Sequence, residues 1–169
     1  MIANFPDALK RALLHEGGYV NNSKDPGGMT NLGVTKRVWE AYTGGPVTET
    51  DMRALTPIIV SPLYKKSYWD KIRGDDLPSG LDEAAFDLAI NSGVGRASKF
   101  LQRIAGVPED GMVGYKTLTA IAQHDPKDMV NELCDMRLEF LRALPTFATF
   151  GKGWERRVEE VRATALRLV

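Results

Sequence analysis

The sequence predicts a mainly α fold of the α+β type, with a helical domain and a small N-terminal β-hairpin or loop lobe. Apolar residues recur at helical spacing over most of the 169 residues, and helix caps and Gly or Pro stops separate these stretches. Residues 17–34 lack that spacing and are rich in Gly, Asn, Asp and Pro. The length fits one compact domain, or two small lobes that share a core.

The first predicted helix carries Phe5, Leu9, Ala12 and Leu13 on one face and should end at the glycine pair 17–18. The glycine-rich stretch contains two strand-like pieces, at residues 19–20 and 32–34. Cap signals at Thr35, at Thr48 with Asp51, and at Thr56 predict helices over residues 35–42, around 52–55 and over 58–69. From residue 80, apolar faces predict helices that end near residues 93 and 106, and further helices at 114–124, 126–144 and 154–169.

Composition argues against several kinds of protein. The 22 Lys and Arg balance the 22 Asp and Glu, so no net charge favours nucleic acid. The single cysteine, Cys134, lies in a helical apolar pattern typical of a buried, inert thiol. His15 and His124 have no partner at ligand spacing, so we expect no metal site and no cofactor. No stretch has the length of a membrane span, and we expect no stable membrane insertion.

Glu16 is the first candidate for chemistry, because it lies on the apolar face of the first helix, four residues after Ala12. Burial and the carbonyl end of a helix both disfavour a charged carboxylate. A carboxyl group that keeps its proton is what a general acid needs. The alternative is a solvent-facing glutamate at a frayed helix end.

Asp25 follows Glu16 by nine residues, and the glycines between and after them let the loop fold back so that both carboxyl groups flank one cleft. Two acids in different surroundings suit glycoside hydrolysis, with Glu16 as proton donor and Asp25 ionised. Thr30 could hold a water molecule near Asp25. Taken singly, Asp25 could equally be a turn residue and Thr30 a strand residue.

These motifs together resemble an N-acetylmuramidase family, glycoside hydrolase family 108. The resemblance rests on E-G-G-Y at 16–19, D-P-G-G-x-T at 25–30, N-L-G-V-T at 31–35, Y-W-D at 68–70, R-G-D-D-L-P at 73–78, A-F-D-L-A-I-N-S-G at 85–93, F-L-Q at 100–102 and G-W-x-R-R-V at 153–158. The order Glu, Asp, Thr also resembles phage lysozymes, although the interval from Asp25 to Thr30 is one residue shorter here.

The resemblance implies a lysozyme-like fold and cleavage of the β-1,4 bond between N-acetylmuramic acid and N-acetylglucosamine in peptidoglycan. We expect a monomeric phage or prophage endolysin, or a bacterial wall-remodelling enzyme. The reaction should invert the configuration at the anomeric carbon. It would accumulate in the cytoplasm of the producing cell and reach the periplasm and cell wall by holin-type release. The alternatives are a lytic transglycosylase, a chitinase-like glycosidase and a noncatalytic wall-binding module.

We expect a single catalytic domain, with a catalytic lobe at residues 1–94 and a helical lobe at 95–169. Residues 110–117 of the second lobe resemble a motif of small peptidoglycan-binding modules, although we favour a tight turn between helices, with Thr117 in the next helix. A glycan strand also needs aromatic faces and amide partners. The candidates for substrate binding are Tyr19, Tyr64, Tyr68, Asn91 and Gln102.

Overall fold

A computed structural model describes residues 4–21 and 28–169. Over these two ranges the chain forms nine α-helices and one three-stranded antiparallel sheet, which confirms the predicted mainly α fold. The chain divides into two compact units. We call Leu9–Lys66 the hairpin unit, and Ser67–Val169 together with the start of the first helix the helical unit.

The helices and strands follow the predicted order with shifted ends. The helices are α1 Phe5–Glu16, α2 Lys36–Thr43, α3 Glu49–Arg53, α4 Pro57–Tyr64, α5 Leu81–Ser92, α6 Val94–Ile104, α7 Tyr115–Ile121, α8 Pro126–Arg142 and α9 Phe147–Leu168. The strands are β1 Val20–Asn21, β2 Met29–Asn31 and β3 Val34–Thr35. A π-helical turn, Lys65–Trp69, follows α4 directly, and a 3-10 turn spans Gly74–Asp76. Helix α9 begins well before the predicted residue 154.

Three threonine caps begin the helices of the hairpin unit, as predicted. The Thr35 side chain accepts from the backbone N–H of Val38, and the Thr56 side chain accepts from that of Ile59. Thr48 and Asp51 form a reciprocal capping box at α3. Each cap satisfies a backbone N–H that has no partner within its own helix.

The sheet has the order β1-β2-β3, and the β2–β3 hairpin pairs Asn31 with Val34. Leu32 and Gly33 are therefore the two residues of its turn, so the expectation that they belong to a strand is wrong. The Asn31 side chain is buried and donates to the backbone carbonyl of Met52, 2.8 Å away. This bond ties β2 to the end of α3.

Helix α5 is the core of the helical unit. Its residues from Leu81 to Ala89 are all buried, and it packs against α6, α8 and α9. Phe5, Trp69 and Phe86 pack edge to face around one end, with ring centroids 5.2 to 5.7 Å apart. Because α5 and α6 belong to one unit, the compact units divide the chain differently from the predicted lobes at residues 1–94 and 95–169.

A buried ion network joins three helices of this unit and was not predicted. The Asp87 carboxylate on α5 accepts from Arg137 on α8 at 2.7 Å and from Arg157 on α9 at 2.9 Å. Burial favours a neutral Asp87, but the two guanidinium groups outweigh burial and lower the pKa of this carboxyl below its ordinary value. Removing the carboxylate would leave two buried guanidinium groups without a counter-charge, and removing the guanidinium groups would leave the carboxylate without one.

Cys134 is buried in α8, and burial raises the pKa of its thiol to about 11. This fits the inert thiol predicted from the sequence. Within the described ranges, no three His, Cys, Asp or Glu side chains cluster as a metal site. No helix in that part of the chain is long and apolar enough to cross a bilayer.

Candidate active site

Glu16 is the last residue of α1, at the point where the predicted apolar face ends. Leu9, Ala12 and Leu13 on that face are buried, and Glu16 itself is half-buried. Gly17 takes a left-handed φ of 78° and ends the helix, as the glycine pair predicted. The carboxyl group is thus partly shielded from water at a fixed position.

The β2–β3 turn next to it has an unusual backbone. Both turn residues have positive φ, 49° at Leu32 and 74° at Gly33, as in the tight turns that join antiparallel strands. Glycine adopts this conformation freely, whereas a leucine does so at a cost of roughly 1–2 kcal/mol. Strain of this kind persists only where surrounding contacts hold it.

Gly33 is the point where the turn meets Glu16. A Cβ at this residue would come within 3.0 Å of Glu16 Oε2 and within 2.7 Å of the Tyr64 hydroxyl oxygen. Only a glycine fits that space, and it lets the hairpin pack directly on the carboxyl group. The turn therefore forms one wall of the site around Glu16.

Tyr64 holds this turn in place. Its hydroxyl donates to the Leu32 carbonyl over 2.7 Å, and its side chain is only 2% exposed. Tyr64 was expected to contact the glycan, but a buried ring leaves no face for a sugar, so that expectation is corrected. Tyr64 is instead a positioning residue for the wall beside Glu16.

Tyr19 follows the glycine pair and lies between α1 and β1. Its hydroxyl donates to Glu49 at 3.1 Å, and the Arg53 guanidinium lies 4.0 Å from its ring centroid. Partial burial and this hydrogen bond to Glu49 raise the pKa of Tyr19. The ring is half-buried with Arg53 on one face, and its substrate contact stays a prediction.

The remaining catalytic candidates are Thr30 and Asp25. Thr30 is the central residue of β2, pairs with Val20 and Thr35, and is half-buried. Its side chain projects from the opposite face of the strand to that of buried Asn31. Asp25 lies outside the described residues, so its predicted role stays a prediction.

Three other predicted substrate contacts belong to the helical unit. Tyr68 is half-buried in the π-helical turn, so the helix predicted over residues 58–69 does not continue as an α-helix to this residue. Asn91 is exposed, near the end of α5, and its Oδ1 accepts from Arg137 at 3.3 Å.

Gln102, the third of them, has a structural role in α6. It is 1% exposed, its Nε2 donates to Asp110 at 2.6 Å, and its Oε1 accepts from the Gly111 backbone N–H at 2.8 Å. The amide is fully engaged with the turn after α6, so the predicted glycan contact at Gln102 is corrected as well. The turn interpretation of residues 110–117 fits these bonds.

Two family models match the chain. The one described as Glycosyl hydrolase 108 matches residues 9–93, half of the chain, including Glu16 and the whole hairpin unit. The chain belongs to glycoside hydrolase family 108. The other model, described as Predicted Peptidoglycan domain, matches residues 96–159 of this family member.

A solved structure is similar to the chain along nearly its whole length. The structure of Brucella abortus SagA is 45% identical to this family 108 chain, with a TM-score of 0.87, and the match covers 99% of this chain and 97% of SagA. A comparison with curated proteins found no match. This family member is therefore a glycoside hydrolase, and the match of its second segment to a peptidoglycan domain indicates that it acts on peptidoglycan.

Proposed function

We propose that this family 108 protein is an N-acetylmuramidase that cleaves the β-1,4 bond between N-acetylmuramic acid and N-acetylglucosamine, with Glu16 as general acid. The observation that carries the proposal is the position of Glu16: a half-buried carboxyl group at the end of α1, packed against the strained hairpin turn at Gly33. A catalytic acid must be held within hydrogen-bonding reach of the bond that breaks.

In this mechanism Glu16 gives its proton to the glycosidic oxygen as the bond to the anomeric carbon breaks. Asp25 takes a proton from a water molecule, and the resulting hydroxide oxygen bonds to that carbon from the opposite face. Thr30 would orient the water. Inversion requires carboxyl groups about 6.5–9.5 Å apart, whereas a nucleophilic Asp25 would lie at about 5 Å.

The central test is Glu16→Gln, which keeps the size of the side chain but removes its acidic proton. We expect the rate of turbidity loss of permeabilised cells to fall by about 10²–10⁴-fold, the usual contribution of a general acid. Glu132→Gln is the matched control, because Glu132 is an exposed glutamate on α8. Unchanged lysis by the Glu16 variant would remove this residue from the mechanism.

Binding separates an enzyme from a noncatalytic wall-binding module. The Glu16→Gln protein should still pellet with purified cell walls, since the substitution leaves the helical unit unaltered. If the wild-type protein pellets with walls but releases no soluble fragments, the binding-module alternative is correct.

Product analysis separates the remaining alternatives. Mass spectrometry of digested peptidoglycan should find reducing muramic acid ends, while 1,6-anhydro ends would identify a lytic transglycosylase. Cleavage of chitin oligomers in preference to peptidoglycan would favour the chitinase-like alternative. Proton NMR of the first product formed should show the α-anomer if the reaction inverts. The endolysin role, the monomeric state and the route of release stay predictions.

A further inference from the structure

A pocket of about 310 Å³ lies wholly within the helical unit. Its polar lining residues include Asn91 near the end of α5 and Arg96 of α6. Its apolar lining residues are Phe140 and Leu141 of α8, Leu144 just after α8, and Trp154 of α9. The lining thus combines an amide and a guanidinium group with aromatic and aliphatic side chains. Pockets of this mixed kind bind small organic groups that combine charge with apolar surface.

Arg96 is held in position without an acidic partner. Its Nη1 donates to the Ser92 carbonyl at 2.8 Å, and its guanidinium carbon lies 3.9 Å from the centroid of the Phe140 ring. No carboxylate within the described part of the chain pairs with it, whereas Arg103 on the same helix is bound to Glu109 at 2.6 Å. A stacked guanidinium with free N–H groups suits a carboxylate ligand.

Asn91 adds an oriented donor. Arg137 can only donate, so the Asn91 oxygen must face it, and Ser92 donates to the same oxygen at 3.2 Å. Arg137 is in turn fixed by buried Asp87. The amide NH₂ of Asn91 is therefore directed away from both donors and is available to a carbonyl group of a ligand.

The apolar side of the pocket is also fixed. Trp154 is half-buried and packs on Phe150 and Phe147, with ring centroids 5.8 and 6.3 Å away. Phe140 is held by Phe100 and by Arg96. Methyl groups of a ligand could pack against this aromatic wall of Phe140 and Trp154 and remove apolar surface from water.

We propose that this pocket binds the peptide that peptidoglycan carries on its muramic acid. Arg96 would bind a free carboxylate of the peptide, the Asn91 NH₂ an amide carbonyl, and the aromatic wall an alanine methyl group. The proposal rests on the proposed function, because only an enzyme that acts on peptidoglycan meets this peptide. A polyphosphate ligand fits less well, since Arg96 is the one cation among the described residues that line the pocket, and four of the other lining residues are apolar.

The test is calorimetric titration of the full chain with N-acetylmuramoyl-alanyl-glutamate, which contains no β-1,4 glycosidic bond. We expect Arg96→Gln to weaken binding about tenfold or more, the usual worth of hydrogen bonds to a charged group. Arg103→Gln removes the same charge from the same helix and should change binding by less than about threefold. Asn91→Asp keeps an oxygen for Arg137 but loses the donor, and should also weaken binding.

Four results would overturn the proposal: no binding by the wild-type protein, equal affinity in the Arg96 variant, an equal loss in the Arg103 variant, or tighter binding of poly(glycerol phosphate) that depends on Arg96. Circular dichroism checks that each variant is folded. Because the probe cannot be cleaved, the result is independent of Glu16. Failure of the Glu16→Gln test would contradict the proposed muramidase mechanism, whereas failure of the binding test would contradict only the proposed peptide binding.

Discussion

The two compact units are stabilised in different ways. The helical unit has a central helix buried on all sides and an ion network around Asp87. The hairpin unit has short helices with threonine caps, and a turn with a leucine at positive φ whose carbonyl accepts a hydrogen bond from the Tyr64 hydroxyl. The strain lies beside the candidate acid, which indicates that this unit gives up stability for the position of Glu16.

The largest expected effect is on the stability of the helical unit. Asp87→Asn leaves two guanidinium groups next to a neutral amide, and we expect the free energy of unfolding to fall by about 3–5 kcal/mol. Asp135→Asn is the matched control, because Asp135 pairs with Arg162 at 2.6 Å but is 64% exposed, and should cost less than about 1 kcal/mol. Urea unfolding measures the free energy of unfolding of both variants. A loss for Asp87→Asn as small as that for Asp135→Asn would mean that the buried network does not stabilise the fold.

Acid should weaken the same ion network. The folded-state pKa of Asp87 is below its ordinary value, so its stabilisation is fully present above the unfolded value of about 3.9 and is lost as pH falls through the folded value. Urea midpoints measured from about pH 6 down to about pH 2 should fall less steeply for Asp87→Asn than for the wild-type protein. Parallel curves would contradict this assignment.

In the hairpin unit, Gly33→Ala should disturb both stability and activity. The new methyl group would meet the Tyr64 hydroxyl and Glu16 at a residue whose φ is 74°, and we expect a loss of about 1–3 kcal/mol. Activity should fall further than the unfolded fraction explains, because Glu16 moves. Gly45→Ala is the control, since a methyl group there would have no neighbouring atom within 4 Å. Full activity in the Gly33 variant would show that the turn does not position Glu16.

A milder substitution, Tyr64→Phe, tests the same wall. It removes the bond to the Leu32 carbonyl and should cost about 1 kcal/mol of stability. We expect kcat to fall while KM stays close to the wild-type value, because Tyr64 is buried and positions the wall rather than binding substrate. Tyr42→Phe, at an exposed tyrosine of α2, should change neither quantity. A raised KM alone would return Tyr64 to the substrate-binding role.

Local signals in the sequence predicted much of the fold. Each cap at Thr35, Thr48 and Thr56 depends on residues within three positions, so the pattern is readable from the chain itself. The apolar spacing that ends at Glu16 was readable for the same reason. The turn at Leu32 was missed because leucine rarely adopts positive φ; the two-residue hairpin turn requires this φ, and a bond from distant Tyr64 holds the Leu32 carbonyl.

Contacts between distant residues account for what could not be predicted. Gln102 and Tyr64 have polar groups that suit a ligand, but each is used by a backbone group that sequence spacing does not reveal. The partners of Asp87 are 50 and 70 residues away. A signal did exist: Asp87 lies in an otherwise apolar stretch of helix, which is the same anomaly that singled out Glu16.

The burial of α5 has a consequence for how such proteins can be recombined. The matched catalytic segment ends at residue 93, so a gene fusion that joins a foreign wall-binding module there would look natural. The cut would strip α5 of α6, α8 and α9 and leave its apolar surface open to aggregation. A fusion of this chain that keeps α5 folded must therefore include the C-terminal helices as well, so the segment to transfer is larger than either matched one.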